Sequence, residues 1–286
     1  MKPPPFLHAA PATIEAALEL LAEHGESARV LAGGQSLMPL LVMRMARPEI
    51  LIDLNRCAGL SHITLEGGVL RVGAMARQID VQRSAVVAPL LAQALRWAGP
   101  RAIRNRGTLG GTIAHADPSA EACAAALCLD AVVVLASRRG QRQVAAGDFF
   151  VDALVTAIAP DEMLIEIRIP PWLPHSAFVE TGVRQADLPM AAIATDLATD
   201  GAGRITDIRI AAIGAANRAV RLPAAEAALR GQRPTPALLA EAAARALAHA
   251  TPPTDLITDA AHRRALLRAL LEQAVMEAAS VTRAAA

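Results

Sequence analysis

Apolar residues recur at helical spacing across residues 12–24 (ATIEAALELLAEH), with Thr13 placed to cap the helix and Gly25 to stop it. A short apolar run, ARVLA, reads as a strand that ends on Gly33 and Gly34. QSLMPLLVMRMARP predicts a second helix, with Ser36 as N-cap and Pro39 in the first turn, where no intrahelical N–H is lost. EILIDL, residues 49–54, closes a strand–helix–strand unit. HITLEGGVLRVG alternates about Gly67–Gly68 and predicts a hairpin. Residues 74–99 read as mainly helical, broken at Pro89. The periodicity then stops in RNRGTLGGTIAHADPSAE, Arg104 to Glu121, with glycines at 107, 110 and 111. Asp117 as cap and Pro118 as first helical residue predict a helix running to about Leu129. AVVVLAS, QRQVAAGDFF and EMLIEIRIP read as three further strands, the last ended by Pro170–Pro171.

The proline-rich stretch PPWLPH marks the strongest composition break in the chain. Beyond it SAFVETGVR, MAAIATDLAT and RITDIRIAAIG read as three strands, the last two joined by a turn at DGAGR, which predicts an antiparallel meander. Three helical segments follow: LPAAEAALRG, PALLAEAAARALAHA and DAAHRRALLRALLEQAVMEAA. None of them gathers a convergent set of polar side chains, so their expected role is to cover the sheet.

Composition narrows the function classes. The chain of 286 residues is 53% hydrophobic, yet no apolar run approaches the roughly 20 residues needed to span a bilayer. The opening MKPPPFLHAAPAT lacks the unbroken apolar core of a signal peptide, so the chain reads as a cytoplasmic protein without a transmembrane segment. A net charge of +1 and an aromatic content of 2% argue against nucleic-acid binding. Lys2 is the only lysine, which excludes a Walker-type phosphate lysine or a buried catalytic one. Cys57, Cys123 and Cys128 are too few for a four-thiolate iron–sulfur site, and the seven histidines lack ligand spacing, so no metal is expected on this chain.

What remains is the pair of glycine-rich segments. Glycines let the backbone approach a ligand and turn several N–H groups into one concavity, which suits phosphate. Gly33–Gly34 at the end of a strand and before a helix is such a place. The Gly-x-Gly-x-x-Gly spacing of a Rossmann turn is missing, as is an acidic residue where its ribose partner belongs. Arg101, Arg104 and Arg106 read either as a solvated basic edge or as a screen for a bound anion.

VLAGGQSLMPLLVMRMARPEILIDL followed by RNRGTLGGTIAHADPSAE resembles the FAD-binding medium subunit of the molybdenum hydroxylases, and the resemblance covers nearly the whole chain. It implies an α+β fold. A two-sub-domain FAD-binding domain (residues 1–171, sub-domains about 1–56 and 57–171) pairs a small βαβ unit with a mixed or antiparallel sheet and helices. A C-terminal domain (172–286) then carries a three-stranded antiparallel sheet with helices. Carried onto this sequence, Ala32, Gly33, Gly34, Gln35 and Ser36, with Val30, Leu31 and Leu37 beside them, would wrap the FAD pyrophosphate. Thr108, Leu109, Gly110, Gly111 and Thr112 would form a second phosphate-facing loop, with Ile113 and Asp117 near the isoalloxazine. Glu121 and the backbone of Leu164 would also meet the cofactor. A bulky residue at Gly110 or Gly111 is expected to abolish FAD retention while leaving the chain folded.

The same resemblance places 2Fe–2S clusters on a small partner subunit and a molybdopterin cofactor on a large one, in a dimer of heterotrimers that passes electrons to an external acceptor. No catalytic residue is then expected here. The hydroxylated substrate would bind on the large subunit, and an N-heterocycle is one candidate class. A flavin-free bridging subunit and a stand-alone FAD oxidase stay open as alternatives. Two positions depart from the family. Where relatives often carry a lysine this chain has Val179, Glu180 and Thr181, and where some place an aromatic ring it has Leu188. The flavin pocket is therefore expected to be more apolar and less positive, which lowers the flavin potential.

Overall fold

The computed structural model describes residues 2–184 and 186–284. In chain order the first unit comprises β1 (Leu7–Ala9), α1 (Ile14–His24), β2 (Ala28–Leu31), α2 (Leu37–Val42) and β3 (Ile50–Asp53). Its sheet is parallel, in the order β1–β3–β2, with Leu31 opposite Asp53. Thr13 caps α1, accepting from the Ala16 N–H at 3.2 Å, and Gly25 ends it. β1 has no counterpart in the apolar pattern, because three residues between prolines show no alternation. The second helix is shorter than the periodicity predicts: α2 ends at Val42, and Ser36 makes no side-chain cap.

The second unit contains β4 (Ile63–Glu66), β5 (Val69–Gly73), α3 (Gln78–Arg83), α4 (Pro89–Trp97), α5 (Arg101–Arg106), α6 (Leu109–His115), α7 (Glu121–Cys128), β6 (Val132–Ser137), β7 (Gly140–Ala145), α8 (Ala146–Phe149), β8 (Phe150–Asp152), β9 (Val155–Thr156) and β10 (Met163–Ile169). Its main sheet has the order β4–β5–β10–β6–β7 and is antiparallel at every pairing. Pro89 opens α4 rather than interrupting a longer helix, since its missing N–H is unneeded there. The central strands β6 and β10 are buried on both faces. Leu70, Val72, Val133, Leu135 and Ile167 point into a core with α4, α6 and α7, while Val134, Ala136, Met163 and Ile165 meet the first unit across α1 and β3. A register shift between Leu164 and Glu166 reverses the alternation along β10, so Met163 and Ile165 face the first unit while Ile167 and Ile169 join Leu164 in the other core.

β11 (His175–Thr181), β12 (Ala191–Thr199), β13 (Ile205–Ile213) and β14 (Val220–Arg221) form the last sheet, in sequence order and antiparallel. The meander is thus extended by a fourth, two-residue strand. α9 (Pro223–Leu229), α10 (Pro236–Leu247) and α11 (Ala260–Ala284) cover one face, burying Val179, Ile193 and Ile210. The other face, with Phe178, Ala192, Ala194, Ala211 and Ile213, joins the core that contains α4 and α7. Polar ties reinforce this seam. Gln93 of α4 treats the edge strand β11 as a neighbouring strand would, accepting from the Phe178 N–H at 3.0 Å and donating to the Ser176 carbonyl at 3.4 Å. The fully buried Asp196 accepts from the Leu173 N–H at 2.9 Å, fixing the segment that follows the proline pair. Among the described residues no helix is long and apolar enough to cross a membrane.

Candidate functional site

β2 ends at Leu31, and residues 32–36 turn sharply into α2. Gly34 sits at φ +74°, where a side chain would be strained. The N–H groups of Gly33, Gly34, Gln35 and Ser36 find no acceptor among the described residues, although the loop is only half-exposed. Four consecutive unused donors form a cradle for an anion. The Gln35 side chain folds back to the Gly33 carbonyl at 2.9 Å and holds the turn in shape. Val30 and Leu31 lie in β2, Ala32 leads into the turn, and Leu37 starts α2.

The second glycine segment is a helix rather than the loop that its composition suggests. Thr108 caps α6, its Oγ1 accepting from the Gly111 N–H at 3.0 Å. Leu109 N–H donates to the Ala76 carbonyl (3.0 Å), Gly110 N–H to Ala74 (3.1 Å) and Thr112 N–H to Thr108 (3.1 Å). None of these amides is left for a phosphate. Gly110 is required by packing: a Cβ there would lie 2.6 Å from the Ala74 backbone. The expectation that a bulky residue at 110 spares the fold is therefore corrected, since that residue would collide with main chain. α7 also begins later than expected. Asp117 turns its carboxylate to the Ser119 N–H at 2.8 Å, and the helix starts only at Glu121, with Ala120 in the cap position and no side-chain cap.

The fold brings the two segments into direct contact. A Cβ on Gly33 would lie 2.4 Å from the Arg106 carbonyl oxygen and 2.7 Å from Gly107 Cα, and one on Gly111 would lie 3.5 Å from Ala32 Cβ. Three residues that the sequence reading missed build the frame around this contact. Asn55 Nδ2 donates to the Ala32 carbonyl at 3.0 Å, and Asn55 Oδ1 accepts from Arg77 Nη2 at 2.7 Å. Arg77 Nη1 donates to the Arg106 carbonyl, and Gln78 Nε2 to Thr112 Oγ1 at 2.7 Å. Asn55 follows the last apolar residue of a strand and Arg77 follows a hairpin, and neither position carries a pattern that announces it. Beside this frame lies a polar cavity of about 180 Å³ lined by Asn55, Cys57, Ser61, Arg77 and Asp80.

Ile113 is buried in the same core as Leu164, and α6 packs on β10. Glu121 is 6% exposed, and burial, with Asp117 adding repulsion, pushes its carboxyl up to about 7. Glu180 faces it from the C-terminal sheet, sharing with Phe178 the face of β11 turned toward the helices of the second unit. Its Oε2 is buried without a partner, and burial followed by repulsion from Glu121 raises its carboxyl to about 8. Val179 points the other way, under the C-terminal helices, and Leu188 is exposed at 65%. The seam therefore carries the buried carboxyl group of Glu180, where the expectation was a more apolar, less positive pocket. Cys57, Cys123 and Cys128 are buried and free, and burial raises all three thiols. No group of metal-ligating side chains occurs among the described residues.

Residues 5–172 match the family described as FAD binding domain in molybdopterin dehydrogenase, and residues 176–278 match the CO dehydrogenase flavoprotein C-terminal domain. The chain belongs to this family of FAD-binding subunits. The nicotine 6-hydroxylase medium subunit of Paenarthrobacter nicotinovorans is 36% identical over 99% of this chain and 100% of its own length. A carbon monoxide dehydrogenase structure from Hydrogenophaga pseudoflava superposes with a TM-score of 0.94 at 36% identity, covering 97% of this chain and 98% of that one. Quinoline 2-oxidoreductase from Pseudomonas putida 86 gives 0.94 at 34% identity, covering 98% and 99%. Membership makes the chain an oxidoreductase subunit with FAD as its cofactor. The four unused N–H groups of the first turn, with Arg77 and Arg106 nearby, suit that cofactor's diphosphate.

Proposed function

We propose that this chain is the electron-transfer subunit of a molybdenum hydroxylase complex, holding FAD between the turn at 32–37 and the wall formed by residues 106–113. The observation that carries this reading is the cradle of unused N–H groups on Gly33 to Ser36, facing a second segment whose amides from Leu109 to Thr112 are engaged. FAD supplies a centre that exchanges one or two electrons. This chain's residues bind and orient it. The first turn takes the pyrophosphate, Ile113 offers apolar contact and Leu164 its backbone, and the carboxyl groups of Asp117, Glu121 and Glu180 line the surroundings. In this scheme hydroxylation belongs to a large partner subunit carrying molybdopterin, and 2Fe–2S clusters on a small subunit feed electrons to this one. A dimer of such heterotrimers and an external electron acceptor complete the scheme. The three free, buried cysteines suit a reducing cytoplasm.

Pro170–Pro171 is the proposed division between an FAD-binding domain and a C-terminal domain that closes over the flavin. The names of the nicotine and quinoline enzymes among the relatives favour an N-heterocyclic substrate for the complex. The test is to purify the chain with its co-expressed partners and record the spectrum. Flavin bands at about 450 nm, with FAD released on denaturation, are expected. A complex without those bands even after added FAD would refute the reading.

A further inference from the structure

The two walls of the site differ in what they can offer a ligand. Residues 33–36 have unused N–H donors and bond only within their own turn and α2, whereas residues 108–112 are tied to Ala74, Ala76 and Thr108. The backbone contact at Gly33 sets how near the two walls can come, and something must also keep the first turn against the second wall. A continuous chain of side-chain bonds does this. It runs from the Ala32 carbonyl through Asn55 Nδ2 and Oδ1 to Arg77 Nη2, and from Arg77 Nη1 to the Arg106 carbonyl. Its two ends fall on the residues immediately before Gly33 and Gly107, the pair whose backbones touch.

Both members are themselves held. Asp53 accepts from the Asn55 N–H at 2.9 Å and from Nδ2 at 2.6 Å, which fixes the amide so that Oδ1 faces Arg77. Burial alone would raise the Asp53 carboxyl, but the bonds from Asn55 and His8 outweigh it and hold the group low, so this support is ionised at neutral pH. Arg77 stands at an isolated bridge with Thr108, where Gln78 N–H donates to the Gly107 carbonyl at 2.9 Å. The guanidinium is thus anchored to the rigid wall by its backbone and reaches back toward the cradle through Asn55. A planar fork with two separately directed donors is needed for this, which lysine does not provide.

We propose that Arg77 and Asn55 act as a single positioning device for the cofactor, spanning the two glycine segments and setting the mouth between them, without themselves being its phosphate ligands. This rests on the FAD reading above. The experiment is a double-mutant cycle on FAD affinity in the complex with its partner subunits, using Arg77→Gln, Asn55→Leu and the double variant. FAD loss would be followed by absorbance after equilibrium dialysis, with visible circular dichroism of the bound flavin as a second signal. Each single variant is expected to weaken FAD about ten- to hundredfold, the effect of losing one or two charge-assisted hydrogen bonds. The double variant should be no weaker than the worse single one, because breaking either link opens the same chain. Arg77→Lys should recover only part of the loss. Additive losses, or variants that keep wild-type affinity and dichroism, would overturn the device. A wild-type complex that never holds flavin would instead overturn the functional reading, so the two failures are distinguishable.

Discussion

Replacing Gly33 by alanine tests the geometry of the site most directly. The new Cβ would lie 2.4 Å from the Arg106 carbonyl oxygen and 2.7 Å from Gly107 Cα, and both are main-chain atoms. Because Thr108 to Thr112 are tied to the sheet, the turn at 32–36 must move, by about 1 Å to restore ordinary contact. Hydrogen bonds from N–H to oxygen span only about 2.7–3.2 Å, so that displacement takes the unused donors of Gly33 to Ser36 out of reach of a phosphate held against the wall. Losing two charge-assisted bonds at about 1.5–3 kcal/mol each weakens FAD by roughly 10²- to 10⁴-fold. The overpacking costs the fold about 1–3 kcal/mol, which a domain of ordinary stability survives. FAD titration of the apo-complex, with a thermal melt of the same sample, separates the two effects. Gly34→Ala is the control: its Cβ meets only the Met38 and Leu31 side chains, at 3.3 and 3.4 Å, so backbone strain of about 1 kcal/mol is the main cost. Gly33→Ala that binds FAD stoichiometrically and as tightly as wild type would show that the two segments do not clamp the cofactor.

Other perturbations probe the surroundings. Gly110→Val should lower the yield of folded protein and the melting temperature, because its Cβ meets the Ala74 backbone at 2.6 Å; a variant with an unchanged melt refutes the packing argument. Thr108→Ala removes the cap of α6 and should cost about 1 kcal/mol in denaturant unfolding, whereas Thr108→Ser should recover most of it. Glu121 and Glu180 bind protons more tightly folded, at about 7 and about 8, than at the ordinary value of 4.5. Their contribution is therefore fully present below about pH 4.5 and is lost as pH rises through 7 to 8. Flavin-free Glu180→Gln should gain stability relative to wild type as pH rises from about 4.5 to about 8 and hold that gain above it, and a difference that is the same at every pH would contradict the raised, buried carboxyl of Glu180.

Much of the architecture was legible because it is written in local periodicity. The α1 helix with its Thr13 cap, the hairpin at Gly67–Gly68 and the meander after Pro171 each bury one face, so their spacing reveals them without knowledge of partners. The two glycine segments were legible for a similar reason, since few other residue types allow backbone to approach backbone so closely. What could not be read was which glycine serves which purpose. Gly33 and Gly110 look alike in sequence, yet one lies in a turn whose amides are unused and the other lets a helix sit on Ala74. That difference is decided by where the Ala74 and Ala76 carbonyls fall in space. The same holds for Asn55 and Arg77, separated by 22 residues and joined only because the first unit packs on one face of the antiparallel sheet. Sequence by itself determined the strongly periodic elements and the two glycine segments. Tertiary structure decided which donors are unused and which carboxylates face each other, because hydrogen-bond satisfaction and burial belong to the packed chain rather than to any segment of it.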